Sequence, residues 1–199
     1  FTSSLSVYGQ ANQLPTTETC IPNPKSYYAI NKLSAEQYIR LFSSYTDINY
    51  TIFRLFTTYG EGQNLQNRNQ GLLSIFISYI LSNEELIVKG SPNRKRDIIC
   101  VSDVVDAIVR SYDAEITFKK TYNLGSGKSL SVGEIIDLLI KGLAVNPHEY
   151  PIRYEDNTAG DPFETQAEMS SLREDLSWSP KLMPEEGIKK TIAFYKQNT

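Results

Sequence analysis

Tyr28 and Lys32 stand four residues apart in SYYAINK (26–32), a stretch that reads as the first turns of a helix. Residues at i and i+4 share a helix face, so the spacing places the Lys32 ammonium near the Tyr28 ring and near anything bound beside it. A free tyrosine titrates near ~10 and is a poor base at neutral pH. A cation held close favours the phenolate, so the pair fits proton transfer. The spacing alone fits equally well a packed aromatic beside a solvent lysine. A serine hydroxyl at the same point could share the proton or hold a sugar hydroxyl. TSSLSVYG (2–9) offers Ser3, Ser4 and Ser6 at the end of a strand-like run. In a doubly wound sheet, ligands sit at the carboxyl ends of strands.

Other chemistries are poorly served. NLGSGKS (123–129) suggests a phosphate loop, but a P-loop would need glycine at position 122, which is Tyr122. A GxGxxG fingerprint starting at Gly125 fails at Leu130. The stretch reads instead as a glycine-rich strand-to-helix turn. His148, the one histidine, lies in NPHEY (146–150), which reads as a surface loop. Alone it makes neither a zinc site nor a Ser-His-Asp triad, and no G-x-S-x-G elbow accompanies it, so no metal is expected. Cys20 and Cys100 lack any CxxC spacing and read as two reduced thiols of a cytoplasmic protein. A net charge of −3 gives no reason to expect nucleic-acid or membrane-surface binding. No apolar run approaches the ~18 residues of a membrane span.

The elements that must position these groups alternate. Residues 1–7 read as a strand, followed by a loop to Pro24. A helix over 26–45 is capped by Ser26, with Ile30, Leu33, Tyr38, Ile39 and Leu41 as its apolar stripe. INYTIFRLF (48–56) is a strand. The polar, glycine-containing stretch 57–71 reads as a long loop, of the kind that often carries function. A short helix (72–81) and strands at 85–90 and 97–101 follow. Next come a helix over 102–113 capped by Ser102 or Asp103, a strand at 121–125 and a helix over 129–143. In that last helix Ser131 and Glu134 form a capping box. A strand at 150–154 and helices within 168–178 and 183–198 close the chain. The alternation predicts an α/β fold. The opening FTSS reads as the end of a buried strand, so a preceding segment is expected.

In order, SSLSVYG, YYAINK, RLFTTYGEGQ, KGSPNRKRDIICVSDVVDAI, YNLGSGKSLSVGEII, AGDP and LSWSP resemble the extended short-chain dehydrogenase/reductase family. The nearest subgroup is the nucleotide-sugar epimerases and dehydratases, UDP-glucose 4-epimerase-like members above all, and the resemblance runs from residue 1 to about 195. It implies a Rossmann-type doubly wound sheet holding NAD plus a smaller α/β substrate lobe. The family's GxGxxG half is not among these residues, so the chain is expected to be the C-terminal part of a larger enzyme. Residues 1–60 would close the NAD domain. Residues 61–199 would form mainly the sugar-nucleotide lobe, with a strand and helix near 97–115 returning to the Rossmann sheet.

The same resemblance implies roles. Tyr28 matches the catalytic base, Lys32 its partner and a nicotinamide-ribose contact, and Ser4 the catalytic Ser/Thr. Ser3 and Phe56 fall on the cofactor side. Thr57 stands where many members have a substrate-contacting asparagine. Val88 and Lys89 would run beside the nucleotide base, Arg96 would grip the diphosphate, and Asp161 would contact the ribose. A second phosphate arginine often stands where this chain has Thr158, so Arg153 or another basic residue would have to substitute. Glu168 replaces a usual aspartate and reads as a helix-cap swap. Leu5 and Ser6 stand where dehydratases carry an Asp-Glu pair, and Ser6 where UDP-glucuronate decarboxylases carry glutamate. The expectation is an NAD-dependent C4 epimerase of a nucleotide sugar, a UDP-hexose first, with a reductase or dehydratase of the same family, or a non-catalytic relative, as alternatives. The family's four-helix dimer interface would use residues 26–45, making the full-length protein a homodimer.

Overall fold

The computed structural model describes residues 1–69, 71–143, 150–158 and 160–198. The readings made on His148 lie outside the described residues. The fold is α/β with parallel strand pairs.

β1 (Thr2–Ser4), β2 (Thr51–Leu55) and β6 (Lys120–Leu124) form a parallel sheet in the order β1-β2-β6. The register sets Ser3 opposite Arg54, Arg54 opposite Asn123, and Phe53 opposite Tyr122. Side chains alternate across a sheet, so Ser3, Ile52, Arg54 and Asn123 share one face and Phe53, Tyr122 and Leu124 the other. Phe53, Tyr122 and Leu124 join a core with Val104 and Ala107 of α3 (Val101–Tyr112), Leu172 of α5 (Ser170–Leu176), and Trp178. Ser3, Arg54 and Asn123 belong to the other set, and Ser3 and Arg54 bond to Glu36 of α1 (Tyr27–Ser44).

Two smaller sheets build the rest. β3 (Thr57–Tyr59) pairs in parallel with β5 (Lys95–Cys100), which pairs antiparallel with β7 (Ser129–Ser131). β4 (Leu86–Lys89) pairs in parallel with β8 (Ile152–Glu155). α2 (Leu72–Leu81), α4 (Val132–Gly142) and α6 (Pro184–Asn198) pack on them through Leu73, Ile77, Ile135, Leu139 and Ile188.

Several elements depart from the sequence reading. β1 stops at Ser4 rather than residue 7, because the Ser4 Oγ accepts the Ser6 N–H at 3.2 Å and starts a 3-10 turn over Leu5–Tyr8. The 57–71 stretch is not wholly a loop, since β3 lies within it. Residues 129–131, read as helix, form β7, and α4 starts after them, with the capping box of Ser131 and Glu134 in place. Neither Ser102 nor Asp103 caps α3. The cap position is Cys100, while the Asp103 carboxylate accepts the N–H groups of Lys181 and Leu182, each at 3.1 Å. The segment near 97–115 returns to the first sheet only through α3. Its strand, β5, pairs elsewhere, and β6 is the strand that joins β2. Of the apolar stripe of α1, Ile30, Tyr38 and Leu41 are exposed while Leu33 packs against Val7, Tyr8 and Cys20; the buried residues of the helix are Ala29, Glu36 and Ser43.

The glycine-rich stretch behaves as a turn between β6 and β7. It wraps the carboxylate of Asp97, which is fully buried. Asp97 accepts from Ser126 N and Oγ, both at 2.6 Å, and from Gly127 N and Ala167 N, both at 2.9 Å. Burial pushes the Asp97 carboxyl up, against these bonds. Cys20 and Cys100 are buried and unpaired. Among the described residues, no helix is long and apolar enough to cross a membrane.

Candidate active site

Helix α1 carries the two residues that opened the sequence reading. Ser26 caps it by accepting the Ala29 N–H at 3.2 Å, which fixes where the first turn starts and so where Tyr28 points. Tyr28 is 51% exposed. One turn on, the Lys32 Nζ lies 5.7 Å from the Tyr28 ring centroid. The same ammonium donates to the Thr2 carbonyl at 2.8 Å and sits 5.1 Å from the Phe1 ring. Lys32 thus ties the helix to β1 two residues before Ser4. Ser4 ends β1, and its Oγ lies 3.2 Å from the Ser6 Oγ. The arrangement holds a phenol and an ammonium beside β1, the strand that the Ser4 hydroxyl ends.

Ser3 turns the other way. It is buried and donates to Glu36 Oε1 at 2.5 Å, so its side chain serves the fold rather than the expected cofactor contact. Glu36 and Arg54 form a two-bond pair, with Arg54 Nε to Oε1 at 3.0 Å and Nη2 to Oε2 at 2.8 Å. Arg40 adds a second cation at 3.1 Å. Arg54 continues to Tyr8 Oη at 3.0 Å, and Tyr8 donates to Asn123 Oδ1 at 2.6 Å. Burial pushes the Tyr8 phenol up to about 12, with the Arg54 charge opposing it. Tyr8 is therefore no base at neutral pH. The sequence reading missed this network. Its only signal was a glutamate eight residues beyond Tyr28 on the same helix face.

From the 3-10 turn and the cap of α1, a cleft of about 560 Å³ runs past Ser6, Ser26 and Thr57 to Arg94, Arg96 and Asp161. A second lobe shares Arg94 and Asp161 and extends to Ile87, Lys89 and Tyr79. Thr57, Lys89, Arg96 and Asp161, four of the five expected substrate contacts, therefore line one continuous depression. Val88 does not. It is fully buried in the core, because neighbouring residues of β4 point to opposite faces and its alternates Ile87 and Lys89 take the cleft side. Phe56 is 4% exposed and packs in the core under the first sheet, with its N–H donating to the Leu124 carbonyl at 2.9 Å. Its side chain is core first.

The basic residues sort differently from the expectation. Arg153 points away, paired with Glu85 at 2.9 Å and Glu155 at 2.8 Å, and does not line the cleft. Arg94, which the sequence reading passed over, lines both lobes. Its signal was the RKR run (94–96), in which two arginines flank Lys95. Arg96 donates to Asp161 Oδ2 at 2.7 Å and to the carbonyls of Lys95 and Phe163. Burial pulls the Arg96 guanidinium below the ordinary arginine range; Asp161 opposes that shift and Arg94 adds to it. Glu168 acts at a helix start, accepting Ser170 N at 2.9 Å in the first turn of α5. Among the described residues, no cluster of three metal-ligating side chains occurs.

The chain is similar to known proteins. Residues 1–125 match the model of the NAD dependent epimerase/dehydratase family. A Methanocaldococcus jannaschii protein provisionally named a UDP-glucose 4-epimerase is 32% identical over 196 residues, covering 96% of this chain and 60% of that protein. An Escherichia coli dTDP-4-dehydro-6-deoxyglucose reductase is 29% identical over 189 residues, 94% of this chain and 57% of that one. The solved UDP-glucose 4-epimerase of Thermotoga maritima with UDP-glucose superposes with a TM-score of 0.91 at 29% identity, covering all of this chain and 63% of that one. The chain spans about 60% of the length of the curated relatives it matches.

Proposed function

Because this chain belongs to the NAD dependent epimerase/dehydratase family, we propose that it carries the proton-transfer and substrate-binding residues of a nucleotide-sugar 4-epimerase acting on a UDP-hexose. The observation that carries the reading is Lys32 at 5.7 Å from the Tyr28 ring and bonded to the Thr2 carbonyl of β1, the strand that Ser4 ends, with the neighbouring Leu5, Ser6 and Ser26 lining an arginine-bearing cleft. Tyr28 takes the proton of the sugar C4 hydroxyl at its Oη. Lys32 holds positive charge beside that phenol, and Ser4 Oγ hydrogen-bonds the C4 oxygen as it becomes a ketone. Arg96 anchors the diphosphate, Lys89 lies beside the base, and Asp161 and Thr57 contact ribose and sugar. The keto-sugar turns over within the cleft and is reduced on its opposite face, and Tyr28 returns the proton.

The accessible edge of Tyr28 and the ammonium of Lys32 fit the nicotinamide-ribose end of NAD, which supplies the hydride acceptor when bound. Ser3 does not fit it. The 199 residues contain no complete GxGxxG, so we expect them alone neither to hold NAD tightly nor to turn over. The likeness to the reductase supports a second reading, ketosugar reduction by the same Tyr28 and Lys32. Leu5 and Ser6 supply no acid or base for dehydration. We further propose a cytoplasmic homodimer of the full-length protein, docked through the outward apolar face of α1 around Tyr38, Leu41 and Phe42.

Incubating the full-length protein that carries this chain with UDP-galactose tests the assignment. The reading predicts UDP-glucose with no net NADH. A 4-keto-6-deoxy product, or stoichiometric NADH consumption, would overturn it.

A further inference from the structure

Two guanidiniums share one carboxylate in the floor of the cleft. Arg94, just before β5, and Arg96, within it, flank Lys95 and reach the same carboxylate. They are 6% and 7% exposed. Both donate to a single oxygen, Asp161 Oδ2, Arg96 at 2.7 Å. Arg94 also donates to the carbonyls of Ser91, at 3.2 Å, and Lys89. Gly90 makes room for it. With φ at +86° it takes a backbone form that side chains rarely adopt, and a Cβ there would lie 2.7 Å from Arg94 Nε.

The charges in this floor do not balance. Arg68 and Glu155, which line the second lobe, are paired with Glu84 and Arg153. Among the described residues, that leaves Asp161 alone to answer Arg94 and Arg96. Their named bonds engage three of the five N–H groups on each guanidinium, and donors remain. Buried cations without matching anions are costly, so the site favours a ligand bearing negative charge. A guanidinium fork matches phosphate oxygens, and two forks held side by side suit two linked phosphates better than one.

We infer that Arg94 is the second arginine of a diphosphate clamp, closing on the ligand together with Arg96. The inference rests on the nucleotide-sugar reading of this cleft and names the residue that does what Thr158 and Arg153 cannot. Thr158 lines the cleft without a charge, and Arg153 is turned away and paired.

Calorimetric titration of the full-length protein that carries this chain with UDP, UMP and inorganic pyrophosphate tests it, using wild type, Arg94→Gln and Arg94→Lys. The wild type should bind UDP more tightly than UMP. Arg94→Gln should weaken UDP and pyrophosphate binding by about ten- to a hundredfold, the loss of charge-assisted bonds. It should leave UMP within about twofold, which also shows that the variant is folded, and Arg94→Lys should fall between. An unchanged UDP-to-UMP preference in Arg94→Gln overturns the role of Arg94 and leaves the nucleotide-sugar reading standing. Pyrophosphate binding that depends on Arg94, with no preference for UDP, keeps the clamp and removes the nucleotide. If the wild type binds none of the three, both fail.

Discussion

Arg54 grips Glu36 through two hydrogen bonds, 3.0 and 2.8 Å long, and the pair locks helix α1 onto strand β2. Glu36 lies two helical steps of four beyond Tyr28, so the contact that fixes the helix also fixes the azimuth of Tyr28 and Lys32. Glu36→Gln should leave a buried arginine without its counter-charge, and breaking one side of such a pair costs about 3–5 kcal/mol. Urea unfolding measures it. A loss below about 1 kcal/mol, the size of a surface ion pair, would show that the pair is not the anchor.

Acid should act through the same carboxylate. Burial alone would raise the Glu36 pKa, but hydrogen bonds from Arg54 and Ser3 and the charges of Arg54 and Arg40 hold it below the usual glutamate value of 4.5. A depressed carboxyl stabilises the fold fully above its unfolded pKa and loses that contribution as pH falls through the folded one. The stability gap between wild type and Glu36→Gln should therefore be constant near neutrality and narrow on acidification below pH 4.5. Taking the difference cancels Glu18 and Asp97, whose pKa values are raised by burial and whose effects have the opposite sign. A gap that widens in acid contradicts the assignment.

Tyr28→Phe separates chemistry from folding. The ring stays, and the hydroxyl sits on a half-exposed side chain, so thermal unfolding should shift little. In the full-length enzyme, kcat should fall by about 10²–10⁴-fold, the usual worth of a positioned acid or base. Turnover within a few-fold of wild type would remove Tyr28 from proton transfer.

Val88 and Lys89 are adjacent and should behave as opposites. Val88→Ala opens space in the core and should cost roughly 1.5–3 kcal/mol. Lys89→Ala should leave stability unchanged and weaken UDP binding by several-fold, an exposed charge near a phosphate or base being worth about 1 kcal/mol. Paired unfolding and titration curves read both. Equal stability losses would mean that the strand faces have been misjudged.

The outward face of α1 predicts the assembly. Phe42, 57% exposed, sits beside exposed Leu41 and Tyr45. Phe42→Glu should shift the full-length protein from dimer to monomer by sedimentation, with its melting otherwise intact. A dimer that survives the change is held elsewhere.

Local chemistry made much of this molecule legible. Ser26, followed by apolar spacing, announced α1, and Ser131 with Glu134 announced α4, because caps are written in neighbouring residues. What escaped depends on pairings distant in sequence. Asp97 looks like any strand-end acid until the turn at 126–127 folds around it. Residues 129–131 carry no mark that distinguishes a strand from a helix start; the partner at 95–97 decides it. The spacing in α1 shows an apolar stripe but no direction, since a helix with an apolar and a polar face does not declare which one meets the sheet. Arg94 was missed because its worth lies in Asp161, 67 residues away. The motifs pointed to Tyr28, Lys32 and four residues that line the cleft, but not to which basic residues turn inward.

The turn around Asp97 also explains why a phosphate-like motif need not meet a phosphate. Ser126 and Gly127 direct their N–H groups inward as an anion cradle would, but the chain has delivered its own anion there. A tethered group competes at an effective concentration that free cellular phosphate does not reach. The occupancy of this nest is thus settled once, at folding, by the Asp97 carboxylate. Replacing Asp97 by glycine would evict it, and a small anion such as formate would then have a seat that the native chain denies it.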